Sequence, residues 1–189
     1  LMGVMTDGGM AEYVTVPASK IIALPSGLDV ANASLVEPLA VAIHGVERSR
    51  IGQKDRVSVV GAGPIGLAIG AVLRSKGIAY DIAARYHHQQ RAAEMLGGNL
   101  NPDGHYDVVI DAIGSAGSLK QATALIKPMG RIGLVGMFWE PTKLEQEFWT
   151  KEAQLIPAAG YFCKSPSRSF EAARTLLHQN PDIAEALVS

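Results

Sequence analysis

The sequence predicts an α/β protein, a doubly wound parallel sheet with helices on both faces, flanked by partial β-rich segments. Three observations carry this. From Arg56 onward, short apolar strands alternate with helical stretches, the order that builds a parallel sheet covered on both sides. The first of those strands runs straight into a glycine-rich turn, Gly61-Ala62-Gly63-Pro64-Ile65-Gly66, that opens a helix. The chain of 189 residues, 48% hydrophobic and 19% charged, has ample apolar content for one buried core.

Residues 1–38 have a different texture. Asp7-Gly8-Gly9 reads as a turn, 11–16 as a strand, and the apolar run from Ile21 to Leu24 as a second strand stopped by Pro25 and Gly27. So few strands cannot bury a core alone, which predicts dependence on partners outside this stretch. Arg56 to Val60 is then a strand, and Ile65 to Lys76 a helix with Ile65, Ala68, Ile69, Val72 and Leu73 on one face. Further strands are expected at 79–84, 107–112, 131–137 and 155–159, and helices at 89–96, 119–126, 143–151 and 169–178. Pro157 marks the last strand as a sheet edge. Between Gly97 and Tyr106 a short strand fits at 99–101, but a parallel crossover of a dozen or more residues does not. Either the strand or a helix is missing there.

Charge and cysteine content exclude several classes. With 17 Lys and Arg against 18 Asp and Glu, the net charge of -1 lacks the positive excess that nucleic-acid binding requires. A single Cys makes neither a disulfide nor a cysteine-rich metal site, so the cytoplasm is the expected compartment. No secretory leader is read in the first thirty residues. The uncharged stretch from Val57 to Leu73 is short for a membrane span and is broken by glycines, so no membrane partner is expected.

The glycine turn is the strongest chemical signal. Gly61 permits a tight turn, Gly63 lets the backbone approach a pyrophosphate, and Gly66 lets helix and strand pack closely. Pro64 and Ile65 open the helix whose free N–H groups face the anion. At the end of the second strand, a site for NAD places an acid on the ribose, whereas one for NADP supplies an Arg to the 2′-phosphate. Ala84, Arg85 and Tyr86 occupy that end, with His87 and Gln90 as helpers, and NADP is the cofactor expected, with NAD as the alternative. Asp81 is the rival acid, but it comes early in the strand. Two further strand ends, Ala112-Ile113-Gly114 and Val135-Gly136-Met137, point to the same crevice. Glu37 interrupts an apolar run, as an acid at a helix start or one bound to a metal. His44 reads as a core or boundary histidine, Cys163 as a small buried hydrophobe, and Trp139, Phe148 and Trp149 as core or subunit-contact aromatics.

Asp7-Gly8-Gly9-Met10-Ala11-Glu12-Tyr13, Val36 to Val41, Gly61 to Gly66, Asp107 to Gly114 and Gly130 to Gly136, in that order, resemble the zinc-dependent medium-chain alcohol dehydrogenases, nearest the sorbitol and threonine dehydrogenase branch. The resemblance implies hydride transfer from a secondary alcohol or polyol to NAD(P), a Rossmann cofactor domain and a homo-oligomer, dimer or tetramer. It makes Glu37 an acid of the catalytic zinc site. It also implies that 1–38 is part of the catalytic domain, 39–163 the cofactor domain and 164–189 a helical return toward the catalytic domain. The family's Cys and His-Glu zinc ligands come from a segment preceding the position of Leu1. The chain is therefore expected to be a truncated member, without stoichiometric zinc and without turnover alone. A zinc-free quinone or enoyl reductase, or a non-catalytic nucleotide-binding module, are the alternatives.

Overall fold

The computed structural model describes residues 3, 5–161 and 166–188. The apolar runs become six strands: β1 (Val57–Val60), β2 (Tyr80–Ala83), β3 (Asn99–Leu100), β4 (Tyr106–Asp111), β5 (Ile126–Leu134) and β6 (Gln154–Pro157). All neighbours pair in parallel, in the order β3-β2-β1-β4-β5-β6. This is the doubly wound Rossmann order, whose reversal at β1 opens a crevice at the carboxyl ends of the strands. The helices are α1 (Val36–Arg48), α2 (Pro64–Ser75), α3 (His87–Met95), α4 (Ala116–Leu125), α5 (Gln146–Thr150), α6 (Pro166–Gln179) and α7 (Asp182–Val188).

Strand alternation divides the core in two. Val57, Val59, Ile82, Val108 and Ile110 point to one face and pack with α1, α2, α3, α6 and α7. Val60, Val109 and Ile132 point to the other, against Leu119 and Ala122 of α4. Helix α2 is buried from Gly66 to Leu73 because sheet, α1 and α7 surround it. Each of its large apolar side chains, Ile69 and Leu73 among them, contributes about 1.5–3 kcal/mol by leaving water.

The structure corrects the N-terminal expectation. Among the described residues no strand precedes Val57, and the stretches 11–16 and 21–24 run without strand pairing, interspersed with 3₁₀ turns at Ala18–Lys20 and Val30–Leu35. Extended chain becomes a strand only beside another strand, and 21–24 is instead held by Arg174, which donates to the Ala23 carbonyl at 2.6 Å. Met10 and Tyr13 stand exposed. The fourth expected strand is also shifted, because α4 passes directly into β5. Pairing starts at Ile126 opposite Tyr106, breaks in a bulge, resumes at Arg131 opposite Val108, and ends at Leu134. Helix α7 is an addition to the expected set, while β6 is an edge strand, as Pro157 implied.

Between Gly97 and Tyr106 the strand is present and the crossover helix is absent. Leu100 stands level with Val59, while Tyr106 begins β4 two residues before Val108, which is level with Val57. The link must cross three strand spacings, about 14 Å, and drop back about 13 Å, a diagonal of about 19 Å. The Cα steps from Leu100 to Tyr106 span at most about 20–22 Å, so the link has few residues to spare even though Asn101, Gly104 and His105 turn through positive φ.

Polar groups fill the space a helix would cover. The bulge turns Tyr106 onto the α4 side, where it is 1% exposed. Its hydroxyl donates to Asp81 at 2.6 Å and accepts from the Asp103 N–H at 3.1 Å. Burial, reinforced by the Asp81 carboxylate, pushes its phenol up to about 12. Arg56 stacks over the same ring at 4.9 Å and donates to Asp103 and to the Gly104 carbonyl.

Ser58, level with Asp81 and Val109, is fully buried, and its hydroxyl has no hydrogen-bond partner. An unsatisfied buried hydroxyl costs about 1–3 kcal/mol. Ser58→Ala is therefore expected to raise stability by about 1 kcal/mol, read as a higher urea midpoint at unchanged slope. A lower midpoint would show that the hydroxyl is satisfied.

Candidate functional site

At the carboxyl end of β1 the chain must leave the sheet and enter α2 within a few residues. Gly61 makes the turn with φ of 99°, and a Cβ there would meet Ile113 Cγ1 at 2.5 Å. Gly66, on the first turn of α2, packs so closely that a Cβ would lie 1.8 Å from the Gly61 carbonyl oxygen. Gly63 differs from both. Its φ of -78° and ψ of -176° are ordinary extended backbone, and nothing lies within 4 Å of where its Cβ would be. Pro64 follows at the first helical position, where no N–H is needed, and Ile65 packs against the core. The turn therefore presents bare backbone and a helix N-terminus to open space, the arrangement that admits a phosphate.

The ends of β4 and β5 close on this turn. Asp111, the last residue of β4, is fully buried. Its Oδ1 accepts from the N–H groups of Ile113 (2.9 Å) and Gly114 (3.0 Å), and its Oδ2 from the Ser118 hydroxyl (2.8 Å). Its carbonyl accepts from Val135 (3.0 Å) and Gly136 (2.9 Å). The two turns touch: a Cβ on Gly136 would lie 2.3 Å from Gly114 N, and one on Gly114 2.6 Å from Met137 N. Ala112 and Val135 are half-buried, and Ile113 and Met137 are exposed.

Across β1, the end of β2 carries Ala84, Arg85 and Tyr86. Gln89 Oε1 accepts from the N–H groups of Arg85 and Tyr86 at 3.2 and 3.3 Å, and Gln90 donates to the Ala84 carbonyl at 3.3 Å. The Arg85 guanidinium lies 5.4 Å from the centre of the Tyr86 ring, which stacks on His88 at 5.8 Å. Arg85 is exposed, and its side chain enters no ion pair among those of the described residues. Asp81 lies further down β2, engaged by Tyr106 and by Asn99 at 3.1 Å.

Glu37 stands apart from these turns. It sits exposed on the first turn of α1 and lines an open groove of about 270 Å³ with Lys20, Ser34, Phe170 and Arg174. The partial desolvation there raises its carboxyl above the ordinary value. Among the described residues no three His, Cys, Asp or Glu side chains gather in a group able to hold a metal. A larger hollow of about 780 Å³, lined by Ser75, Arg168, Glu171 and Thr175, contains none of the glycine-turn residues. His44 is buried, and that burial lowers its pKa below the ordinary value, with Arg48 adding to the effect. Trp139 and Trp149 are 83% and 70% exposed, so neither is a core residue, while their chain neighbours Phe138 and Phe148 are the ones turned onto the second core cluster. Phe148 does pack against that cluster. Cys163 lies outside the described residues.

No protein-family model matches the chain. L-galactonate-5-dehydrogenase of Escherichia coli K12 is 32% identical over 179 residues, covering 82% of this chain and 51% of that protein. A dehydrogenase of Sinorhizobium meliloti 1021, solved bound to NADP, superposes with a TM-score of 0.79 at 28% identity over 92% of this chain and 57% of its own. An alcohol dehydrogenase of Escherichia coli CFT073, solved with NADH, does so with a TM-score of 0.83 at 26% identity, over 98% of this chain and 59% of its own. The chain belongs to the medium-chain alcohol dehydrogenase family. It spans about half the length of the curated relatives it matches.

For a medium-chain dehydrogenase, the fold brings together three of the sequence-derived groups, the turns at Gly61–Gly66, 112–114 and 135–137. It sets 84–86 beside them across β1, and Glu37 elsewhere. Sequence reading missed Asp111. Its signal was an acid closing the apolar run Val108-Val109-Ile110 just before Ser115 and Ser118.

Proposed function

We propose that the crevice holds NADP in preference to NAD, and that the chain is the cofactor-holding part of a medium-chain dehydrogenase oxidising a secondary alcohol or polyol to the ketone. The observation that carries this is Gly63: a helix N-terminus behind an unobstructed backbone turn, at the point where the strand order reverses. The NADP of the S. meliloti neighbour and the NADH of the E. coli CFT073 neighbour both support a nicotinamide dinucleotide in this crevice, and the exposed Arg85 at the end of β2 is what favours NADP. When bound, the dinucleotide supplies the hydride acceptor. The chain's own residues bind and orient it: the turn at 61–66 takes the pyrophosphate, Ala84, Arg85 and Tyr86 the adenosine ribose, and 112–114 with 135–137 the nicotinamide side. In this reading 39–163 is the cofactor domain, 1–38 and 164–189 belong to the catalytic domain, and the protein works as a cytoplasmic homo-oligomer on a small-molecule substrate. Glu37 is carried as an acid of that catalytic domain on the resemblance alone.

The preference between cofactors is open to direct measurement. A charge-assisted contact from Arg85 to the 2′-phosphate is worth about 1.5–3 kcal/mol. NADPH is expected to bind about tenfold or more tighter than NADH in a fluorescence titration, with Arg85→Ala erasing most of the difference. Equal affinities, or an NADH preference that Asp81→Ala abolishes, would overturn the NADP assignment.

A further inference from the structure

We propose that Asp111 is a positioning residue that fixes the nicotinamide half of the crevice, an inference that rests on the dinucleotide reading above. The carboxylate is fully buried and enters none of the ion pairs of the described residues. Burying an ionised group is costly unless hydrogen bonds compensate. Here the compensation comes from the donors that shape the site: the Ile113 and Gly114 N–H groups on Oδ1 and the Ser118 hydroxyl on Oδ2. The same residue's carbonyl takes the N–H groups of Val135 and Gly136. One residue thus ties together the turns that follow two neighbouring strands.

Those turns have little slack. Gly114 and Gly136 are in backbone contact, and the Ile113 side chain presses on Gly61. A shift of 112–114 therefore changes the width of the crevice on the β4 side of the glycine turn. The effect is one-sided. Asp111 lies on the β4–β5 side of β1, opposite the β2 end that carries Arg85, and a dinucleotide bridges the two mononucleotide halves at this switch point. Asp111 therefore governs the half that receives the nicotinamide and leaves the adenosine half unchanged. Being buried, the carboxylate touches no ligand and acts through the backbone it holds.

The hydrogen-bond pattern also says which substitution preserves the role. In Asp111→Asn the amide oxygen can accept both N–H groups, while the amide NH₂ donates to Ser118 Oγ in place of the Ser115 hydroxyl now 3.1 Å away; Ser118 Oγ keeps the Ser115 N–H, and its own proton turns to the Ser115 carbonyl 3.0 Å away. Asp111→Ala loses all three side-chain bonds and keeps only the two that its backbone carbonyl accepts.

The test compares NADPH with 2′,5′-ADP, which contains only the phosphorylated adenosine half, by calorimetry. Asp111→Ala is expected to weaken NADPH about tenfold or more and 2′,5′-ADP less than about twofold, while Asp111→Asn holds NADPH within about threefold of the parent chain. A general loss of structure moves both ligands together. Equal weakening of both, unchanged NADPH binding in Asp111→Ala, or an Asn variant as weak as the Ala variant overturns the proposal. If Asp111→Ala does not fold, Ser118→Ala carries the test. It releases one anchor of the carboxylate and is expected to shift the NADPH to 2′,5′-ADP affinity ratio about threefold, and an unshifted ratio overturns the role. An unsubstituted chain that binds neither ligand removes the dinucleotide reading itself, and this inference with it. An unsubstituted chain that binds both beside variants with an unchanged ratio removes only the role of Asp111.

Discussion

Gly66→Ala is expected to destabilise the chain by about 3 kcal/mol or more, at the upper end of what overpacking costs. The added methyl would sit 1.8 Å from the Gly61 carbonyl oxygen and 2.9 Å from its carbon. These are backbone atoms, held by the left-handed turn at Gly61 and by β1, so no side chain can rotate away. Relief requires α2 to move off the sheet, and α2 is buried along most of its length against β1, α1 and α7. For a domain of this size the Tm should fall by roughly 6–12 °C. A Tm within a degree or two of the parent chain would mean that α2 lies further from the sheet than described.

Gly63→Ala, three residues earlier, is expected to do the opposite: leave stability within about 0.5 kcal/mol and weaken the dinucleotide about tenfold or more. The backbone at Gly63 suits any L-residue, and nothing stands where the methyl would go. What the methyl does occupy is the approach to the helix N-terminus, where the pyrophosphate must come against bare backbone. Thermal melts with and without NADPH separate the two quantities. The Gly63→Ala protein should melt like the parent when free and lose most of the ligand-induced increase in Tm. If it keeps that increase, the pyrophosphate does not pass over Gly63. The paired outcome, one glycine for folding and its neighbour for binding, distinguishes a nucleotide turn from one that merely connects strand to helix.

Much of this architecture was legible because local patterns and tertiary structure agree over the alternating region. The run at 57–60 is short and mostly apolar and that at 80–83 alternates buried Tyr80 and Ile82 with Asp81 and Ala83, each lies between turn signals, and both are strands. Where local and non-local causes part, the sequence misleads. The stretch 11–16 has strand composition, but a strand exists only as a pair, and pairing is not written in the residues of one segment. Trp139 and Trp149 read as core or subunit-contact aromatics, and their exposure removes the first of these, because which of two adjacent aromatics turns inward is decided by packing. Of the site, the glycines at 61, 63 and 66 could be read because each answers a backbone demand at fixed spacing. Asp111 could not, because its importance arises from bringing 135–136 beside 113–114, which only the sheet order does. Likewise, the hydrogen bonds that Asp81 accepts from Tyr106, across β1, and from Asn99 of β3 are set by the sheet order and could not be read from the segment around it.

Because only five residues join β3 to β4, the two halves of the sheet are not independent while the chain folds. Parallel strands ordinarily wait on long crossovers, whose loop entropy must be lost before any pairing repays it. Here that wait is shortened at the one passage where the chain turns from one winding direction to the other, and the second half is tethered to the first as soon as β3 finds β2. The tether tolerates change in one direction only. Added residues would be slack on a solvent-facing path that Arg56 and Tyr106 could still hold, whereas a lost residue would have to be made up by peeling β3 from the edge of the sheet.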